Sequence, residues 1–197
     1  FHGNDPNDDL ILLESDKGEF ISMSTIMNYL NNHGEEIALV LMGGVNYYTG
    51  QAFDMAAITD KAQNFGCRVG FDLAHAAGNL KLNLHDWGVD FAAWCGYKYL
   101  NGGPGAPSGI FIHERHLGRT DIPRFAGWWG HDKSTRFQMP DNFNPLQTVE
   151  AWQISNPPIL SMAALLSSLE IFHEVGMSKL RQKSEKLTSY LELLIKS

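Results

Sequence analysis

The chain has 197 residues, of which 44% are hydrophobic and 19% charged, which excludes a disordered or low-complexity protein. A net charge of −7 disfavours a nucleic-acid binder, because such proteins gather cations on one surface. No run approaches the roughly 20 apolar residues of a membrane-spanning helix, and two cysteines are too few for a disulfide framework. We therefore expect a soluble, cytoplasmic protein that binds neither membranes nor nucleic acid.

The first half of the chain alternates between helical and extended patterns. Apolar residues recur at helical spacing over residues 22–33, and Gly34 follows where a left-handed C-cap is expected. Residues 37–42 are apolar throughout, which predicts a strand buried on both faces of a parallel sheet. A helix over residues 54–66 then leads to a second strand over residues 67–72. This order predicts a β-α-β unit.

The second half predicts two further strands and two long helices. The strands cover residues 89–95 and 109–113. After an irregular stretch, Pro157 and Pro158 open a helix that stops near Gly176. The last helix carries an apolar stripe, which we expect to pack on another part of the protein.

Polar residues that follow an apolar strand are candidates for a ligand site, because ligands of open α/β sheets bind beyond the carboxyl ends of the strands. Asp72 ends one strand and His75 follows three residues later. A carboxylate and an imidazole could thus face one ligand. Alternatively, Asp72 caps the next turn and His75 is an ordinary hydrogen-bonded histidine. The pattern alone leaves both interpretations open.

Lys98 follows the apolar strand of residues 89–95. A partly desolvated lysine loses its proton more readily and can form a Schiff base with a carbonyl compound, whereas an ordinary lysine there would extend into solvent. Asp72 lies 26 residues upstream, the length of a crossover to a neighbouring strand. Pyridoxal phosphate needs such a pair, because a lysine holds it covalently and a carboxylate keeps its pyridine nitrogen protonated.

Three segments around these residues resemble the kynureninase family of fold-type-I pyridoxal phosphate enzymes: FDLAHA at 71–76, LHDWGVDF at 84–91 and YKYLN at 97–101. Three more follow in the family's order, GWWGH at 127–131, STRF at 134–137 and ISNPP at 154–158. The resemblance implies an α/β fold with a three-layer, mainly parallel sheet and flanking helices. It assigns residues 1–157 to the cofactor-binding large domain, and residues 158–197 to helices that lead toward a small domain.

The resemblance also implies roles for four residues near the strand ends. Lys98 would be the Schiff-base lysine and the base at the substrate Cα. Asp72 would pair with the pyridine nitrogen, and His75 would lie beside the cofactor ring. Tyr97 would bind the cofactor phosphate and assist a later protonation.

Two residues further along the chain are implied to contact the phosphate region, Trp128 and Asn156. Family members assemble their sites from two subunits, so the resemblance implies a homodimer. Without it, Trp128 would be interpreted as a core aromatic residue and Asn156 as a helix N-cap before Pro157.

The implied reaction belongs to tryptophan catabolism. It is hydrolysis of L-kynurenine or 3-hydroxykynurenine to anthranilate or its hydroxy analogue and L-alanine. Family members also have an upstream aromatic residue that stacks on the cofactor, an upstream phosphate loop and a downstream arginine for the substrate carboxylate. Arg136 lies in a different motif from that arginine. We therefore expect a fragment that binds pyridoxal phosphate weakly, if at all, and has no activity alone.

Three other functions remain open. A cysteine desulfurase would share the lysine and aspartate, but it has histidine where this chain has Tyr97, and it needs a loop cysteine, whereas Cys67 and Cys95 lie in apolar runs. His113 and His116 form an H-x-x-H pair without a third ligand nearby, and a histidine there more often faces solvent, so we expect no metal. A non-catalytic assembly subunit is the third.

Overall fold

A computed structural model describes residues 3–15, 18 and 20–197 of the chain. Its strands are β1 (Leu39–Gly43), β2 (Arg68–Asp72), β3 (Phe91–Trp94) and β4 (Gly109–Ile112). Its helices are α1 (Pro6–Asp9), α2 (Met23–His33), α3 (Met55–Gln63), α4 (Ile159–Val175) and α5 (Met177–Lys196). Each strand and long helix that the sequence predicts is confirmed, with bounds that differ by at most three residues at either end.

The four strands form one sheet in the order β1-β2-β3-β4. The pairs β1–β2 and β2–β3 are parallel, whereas β3–β4 is antiparallel. The predicted β-α-β unit is therefore confirmed, with α3 as its crossover helix. Gly43 pairs with Asp72 and Asp72 with Ala93, so the parallel strands end together. We call this end of the sheet the carboxyl edge.

The hydrophobic core lies on one face of the sheet, beneath α2 and α3. Val69 and Phe71 of β2 are fully buried there, against Ile26 of α2 and Ile58 of α3. Both helices begin with a side-chain cap, which satisfies an otherwise unpaired N–H group of the first turn. The Ser22 hydroxyl accepts from the Thr25 amide, and the Asp54 carboxylate accepts from the Ala57 amide.

Strand β1 is not buried on both faces, so that prediction is wrong. Successive side chains of a strand point to opposite faces. Val40 and Met42 pack against the core, whereas Leu39 is 46% exposed and Leu41 60% exposed on the other face. Ile110 of β4 is also exposed. The described residues thus leave part of this second face open.

The end of α2 also differs from the prediction. Gly34 has a φ of −56°, in the right-handed region rather than the left-handed one. The chain does not leave the helix there, because it continues into a 3-10 turn over Gly34–Glu36. The predicted left-handed C-cap is therefore wrong, although the helix does end at His33.

The two C-terminal helices meet at Gly176, whose φ of 79° suits only a residue without a side chain. Neither helix contains a buried residue. The stripe on α5 that includes Leu187, Tyr190 and Leu194 is exposed, so its packing partner remains a prediction. The predicted division of the chain at residues 157 and 158 also stays a prediction.

Among the described residues, no single helix is long and apolar enough to span a membrane. Helices α4 and α5 have sufficient length and apolar character only when taken together, and they are bent by 85° at their junction.

Candidate active site

Lys98 lies in a closed loop that begins two residues after β3. The Gly102 amide donates to the Gly96 carbonyl at 2.9 Å, and the Asn101 amide donates to the Lys98 carbonyl at 3.0 Å. Asn101 adopts a left-handed conformation with φ 56°, which asparagine tolerates better than most residues. These bonds fix the backbone of Lys98 next to the carboxyl edge.

At the start of this loop, the backbone of Gly96 packs directly against the backbone of Pro107. A Cβ atom at Gly96 would clash with the carbonyl oxygen of Pro107. Backbone cannot move away as a flexible side chain can, so position 96 admits only glycine. The glycine- and proline-rich segment of residues 102–107 thus helps to hold Lys98 in place.

The side chain of Lys98 meets His75. Its Nζ lies 3.1 Å from the His75 Nε2, and both residues are half-buried. His75 lies on a turn after β2, where the amides of Ala76 and Ala77 both donate to the Leu73 carbonyl. Among the described residues, Lys98 forms no ion pair with a carboxylate. Its amine therefore contacts an imidazole nitrogen rather than a carboxylate.

Asp72 is the last residue of β2 and is exposed at the carboxyl edge. One carboxylate oxygen accepts a hydrogen bond from the Ala74 amide at 2.8 Å. The interpretation of Asp72 as a turn cap is thus confirmed. In the part of the chain that the structure describes, its second oxygen has no hydrogen bond. Asp72 shares the carboxyl edge with Lys98 without contacting it.

Tyr97 precedes Lys98 and is exposed. Lys98 Nζ lies 5.9 Å from the centroid of its ring. The Cys95 side chain beside it raises the pKa of the Tyr97 hydroxyl above its usual value. The hydroxyl therefore keeps its proton at neutral pH and can donate a hydrogen bond to an anion.

Trp128 and Asn156 form a second group, on segments that touch each other. A Cβ at Gly127 would clash with the Ile154 carbonyl, which brings the residues before Trp128 and Asn156 together. Trp128 is 50% exposed and contacts Phe137 edge-on at 5.5 Å. The described residues show no hydrogen bond or ring contact from either one to Lys98, His75 or Asp72.

The alternative interpretations of this second group are wrong. A half-exposed Trp128 is not a core aromatic residue. Asn156 does not cap α4, since Pro158 occupies the N-cap position and no side chain caps the helix. The Asn156 side-chain oxygen instead accepts a hydrogen bond from the Ser155 hydroxyl at 3.2 Å.

The two histidines of the H-x-x-H pair point to different partners. His116 is buried, and its Nε2 lies 2.6 Å from an Asp90 carboxylate oxygen, so the expectation that it faces solvent is wrong. His113 stacks on His85 with the ring centroids 5.0 Å apart. The described residues contain no group of three or more histidine, cysteine, aspartate or glutamate side chains placed to hold a metal ion.

The Aminotransferase class-V family model matches residues 7–197. The chain belongs to the aminotransferase class-V family. It is also 58% identical over 196 residues to a kynureninase of Myxococcus xanthus and 55% identical over 196 residues to a kynureninase of Flavobacterium johnsoniae. Each alignment covers 99% of this chain and 46% of the relative. The chain thus spans about half the length of these curated relatives.

Two solved structures share the fold of this aminotransferase class-V member. A cysteine desulfurase from Thermococcus onnurineus NA1 superposes with a TM-score of 0.65 at 21% identity, over 90% of this chain and 42% of that chain. An alanine–glyoxylate aminotransferase from Nostoc gives 0.64 at 21% identity, over 91% and 45%. At this identity the likeness shows the fold alone. The predicted α/β fold class is confirmed.

Proposed function

We propose that this chain carries the pyridoxal phosphate site of a hydrolase that cleaves L-kynurenine or 3-hydroxykynurenine. The observation that carries the proposal is the contact of Lys98 with His75, on the loop that follows β3, next to the strand that ends at Asp72. The chain shares more than half of its residues with each of two kynureninases, and this similarity supports kynurenine as the substrate class.

The side chains at the carboxyl edge fit pyridoxal phosphate. The cofactor has an aldehyde that needs an amine, a pyridine nitrogen that needs a carboxylate, and a phosphate that needs hydrogen-bond donors. Lys98 offers an amine that has no carboxylate partner among the described residues, Asp72 an exposed carboxylate, and Tyr97 a protonated hydroxyl. When bound, the cofactor supplies an electron-poor ring that accepts the electron pair left at the substrate Cα.

Each residue then has a defined task. Lys98 would hold the cofactor through Nζ, and it would accept the proton of the substrate Cα. His75 orients the Lys98 amine through their hydrogen bond. Asp72 would pair with the pyridine nitrogen of the cofactor and keep it protonated. Tyr97 donates to the phosphate and passes a proton to the carbon that becomes the methyl group of alanine.

The overall reaction consumes one water molecule. Water adds to the γ-carbonyl carbon of kynurenine, and the bond between Cβ and Cγ breaks. The aromatic product keeps the water oxygen in its carboxylate, which gives anthranilate or its 3-hydroxy analogue. Cβ takes up a proton, and Cα regains the proton that Lys98 accepted, which gives L-alanine.

We assign the phosphate contacts of Trp128 and Asn156 to a homodimer. Neither residue touches Lys98 or His75 in the described chain, and a site shared by two copies accounts for that separation. A cytoplasmic location is part of the same proposal. Both cysteines are free thiols, as is usual in a reducing compartment.

Covalent trapping tests the cofactor assignment. The chain is incubated with pyridoxal phosphate, reduced with borohydride and digested, and the labelled lysine is located by mass spectrometry. We expect the label on Lys98, at low occupancy because the chain is half the length of its relatives. Lys98→Ala should abolish it, whereas Lys81→Ala, at an exposed lysine after β2, should not. A label spread evenly over the lysines would refute the assignment.

A chimera tests the reaction itself. This chain replaces the matching segment of the Myxococcus xanthus kynureninase, and the anthranilate formed from L-kynurenine is measured by fluorescence. We expect activity in the chimera, its loss on Lys98→Ala, and none for the isolated chain. A chimera that binds the cofactor but releases only sulfide from cysteine would favour a desulfurase. Burial raises the pKa of the Cys67 thiol, which argues against that outcome. A folded chimera with no activity would indicate an assembly role.

A further inference from the structure

Arg136 is a buried arginine beneath the turn that carries Trp128. Its side chain is 6% exposed, and its Nη2 donates to the carbonyls of Trp129 at 3.0 Å and His131 at 2.9 Å. The guanidinium carbon lies 4.8 Å from the centroid of the Trp129 ring, at the distance of a cation–π contact. One side chain thus holds the backbone on the C-terminal side of Trp128.

Among the described residues, Arg136 makes these contacts without a charged partner, although a buried charge normally has one. In the described chain, Arg136 forms no ion pair, and its Nε is buried without a hydrogen bond. His131 is also held by hydrogen bonds. Its Nδ1 accepts from the Asn144 amide at 3.1 Å, and its Nε2 lies 3.0 Å from the Thr135 hydroxyl oxygen.

A second link runs through the next residue in the chain. Arg136 opens a 3-10 turn over Arg136–Gln138, and Phe137 of that turn makes the edge contact with Trp128. The same short segment thereby fixes both the backbone and the side chain of the Trp128 turn. Trp128 stays half exposed, with its indole available to a ligand or to a second copy of the chain.

We infer that Arg136 is a positioning residue, which holds Trp128 in the geometry that contacts the cofactor phosphate. The inference rests on the proposed function of Trp128. It assigns Arg136 no contact with substrate or cofactor. Loss of Arg136 should therefore weaken recognition of the phosphate group and leave recognition of the pyridine ring unchanged.

Comparison of pyridoxal phosphate with pyridoxal, which lacks the phosphate, tests this inference. The half-saturating concentration of each is measured for borohydride labelling of Lys98. In Arg136→Gln we expect the preference for pyridoxal phosphate over pyridoxal to fall about tenfold, which corresponds to the loss of one hydrogen bond to the phosphate. The matched control is Arg124→Gln, since Arg124 also stacks on a tryptophan, Trp152 at 4.3 Å, but holds the Arg119 carbonyl. An equal fall in both variants, or none in Arg136→Gln, would overturn the inference.

Hydrogen exchange provides a readout without the cofactor. The amides of Gly130 and His131 donate within the Trp128 turn, to Gly127 and Trp128 carbonyls. We expect their exchange to be about tenfold faster in Arg136→Gln and unchanged in Arg124→Gln. Equally faster exchange of the β2 amides would show a merely structural role and overturn the inference. Arg136→Lys, which keeps the charge and a donor, replaces Arg136→Gln if that variant does not fold, and a smaller change of the same kind is expected.

The two experiments separate this inference from the proposed function. If the unmodified chain labels Lys98 equally with both compounds, the phosphate role of Trp128 is wrong. Arg136 then cannot position Trp128 for a phosphate contact, and the inference is overturned together with that role. If the unmodified chain prefers pyridoxal phosphate but Arg136→Gln retains that preference and normal exchange, the proposed function stands and only the role of Arg136 fails.

Discussion

Lys98 Nζ and His75 Nε2 lie 3.1 Å apart, although the two residues are separated by 23 positions in the chain. The contact exists because β2 and β3 are parallel neighbours and both loops leave the sheet at the carboxyl edge. A lysine side chain has many rotamers, and this hydrogen bond selects one of them. The amine is thus oriented before any ligand arrives.

His75→Phe should slow the labelling of Lys98 by pyridoxal phosphate about tenfold, the equivalent of about 1.4 kcal/mol for one hydrogen bond. Phenylalanine preserves an aromatic ring of similar size but cannot accept a proton or a hydrogen bond. The rate is measured by borohydride trapping at increasing times. His85→Phe, at an exposed histidine away from the carboxyl edge, is the control and should label normally. Normal labelling of His75→Phe would show that the hydrogen bond does not orient the amine.

The shared edge of Asp72 and Lys98 could be predicted from the sequence, because parallel strands end at the same edge whatever their side chains do. The actual partner of Lys98 could not. Whether the amine meets His75 or Asp72 depends on rotamers and on the turn after β2, and residue spacing carries no information about either. Asp72 instead uses one oxygen to cap that turn.

The burial of β1 on both faces could not be predicted correctly either, because it depends on what packs against the strand. A continuous apolar run shows that both faces of a strand are suited to burial, but it does not show what covers them. Leu41 is apolar and still 60% exposed. The contacts of Arg136 could not be predicted either, because its hydrogen bonds go to backbone carbonyls, which leave no signal in the sequence.

Truncation of Leu41 and of Phe71 should therefore have very different effects on this chain. Phe71→Ala removes a fully buried ring and should lower the free energy of unfolding by about 3–5 kcal/mol. Leu41→Ala should cost less than about 1 kcal/mol, because most of its side chain already contacts water. Urea unfolding followed by circular dichroism measures both. A cost for Leu41→Ala close to that of Phe71→Ala would mean that this face of β1 is covered in solution.

Gly96→Ala should destabilise the Lys98 loop through a direct backbone clash. The new methyl group would meet the Pro107 carbonyl, so we expect a loss of about 2–3 kcal/mol and little labelling of Lys98. Gly103→Ala is the matched control in the same loop. Its Cβ would meet no atom within 4 Å, and only its positive φ of 78° costs energy, about 1 kcal/mol. Equal losses in the two variants would contradict the close approach.

Asp90 lies just before β3, at the edge of the sheet opposite to Lys98, and its carboxylate is buried. It accepts hydrogen bonds from the Val69 amide at 2.8 Å and from Arg115 Nε at 3.2 Å, and it pairs with His116. Burial alone would raise the pKa of Asp90. The hydrogen bonds from His116 and Val69 and the charge of Arg115 outweigh it and lower that pKa below its usual value.

The ionised form of Asp90 should therefore stabilise the fold in a way that depends on pH. Because its pKa is lower in the folded chain than in the unfolded one, where it is about 3.9, the stabilisation is complete above that value and is lost as the pH falls through the folded pKa. Asp90→Asn should cost about 2–4 kcal/mol at pH 7, since it leaves buried donors without a charged acceptor. Urea unfolding of both proteins from pH 7 down to pH 3 should show the difference shrinking below about pH 4. Asp141→Asn, at an exposed site, should follow the unmodified chain throughout. A difference for Asp90→Asn that stays constant down to pH 3 would mean that the charge of Asp90 does not stabilise the fold.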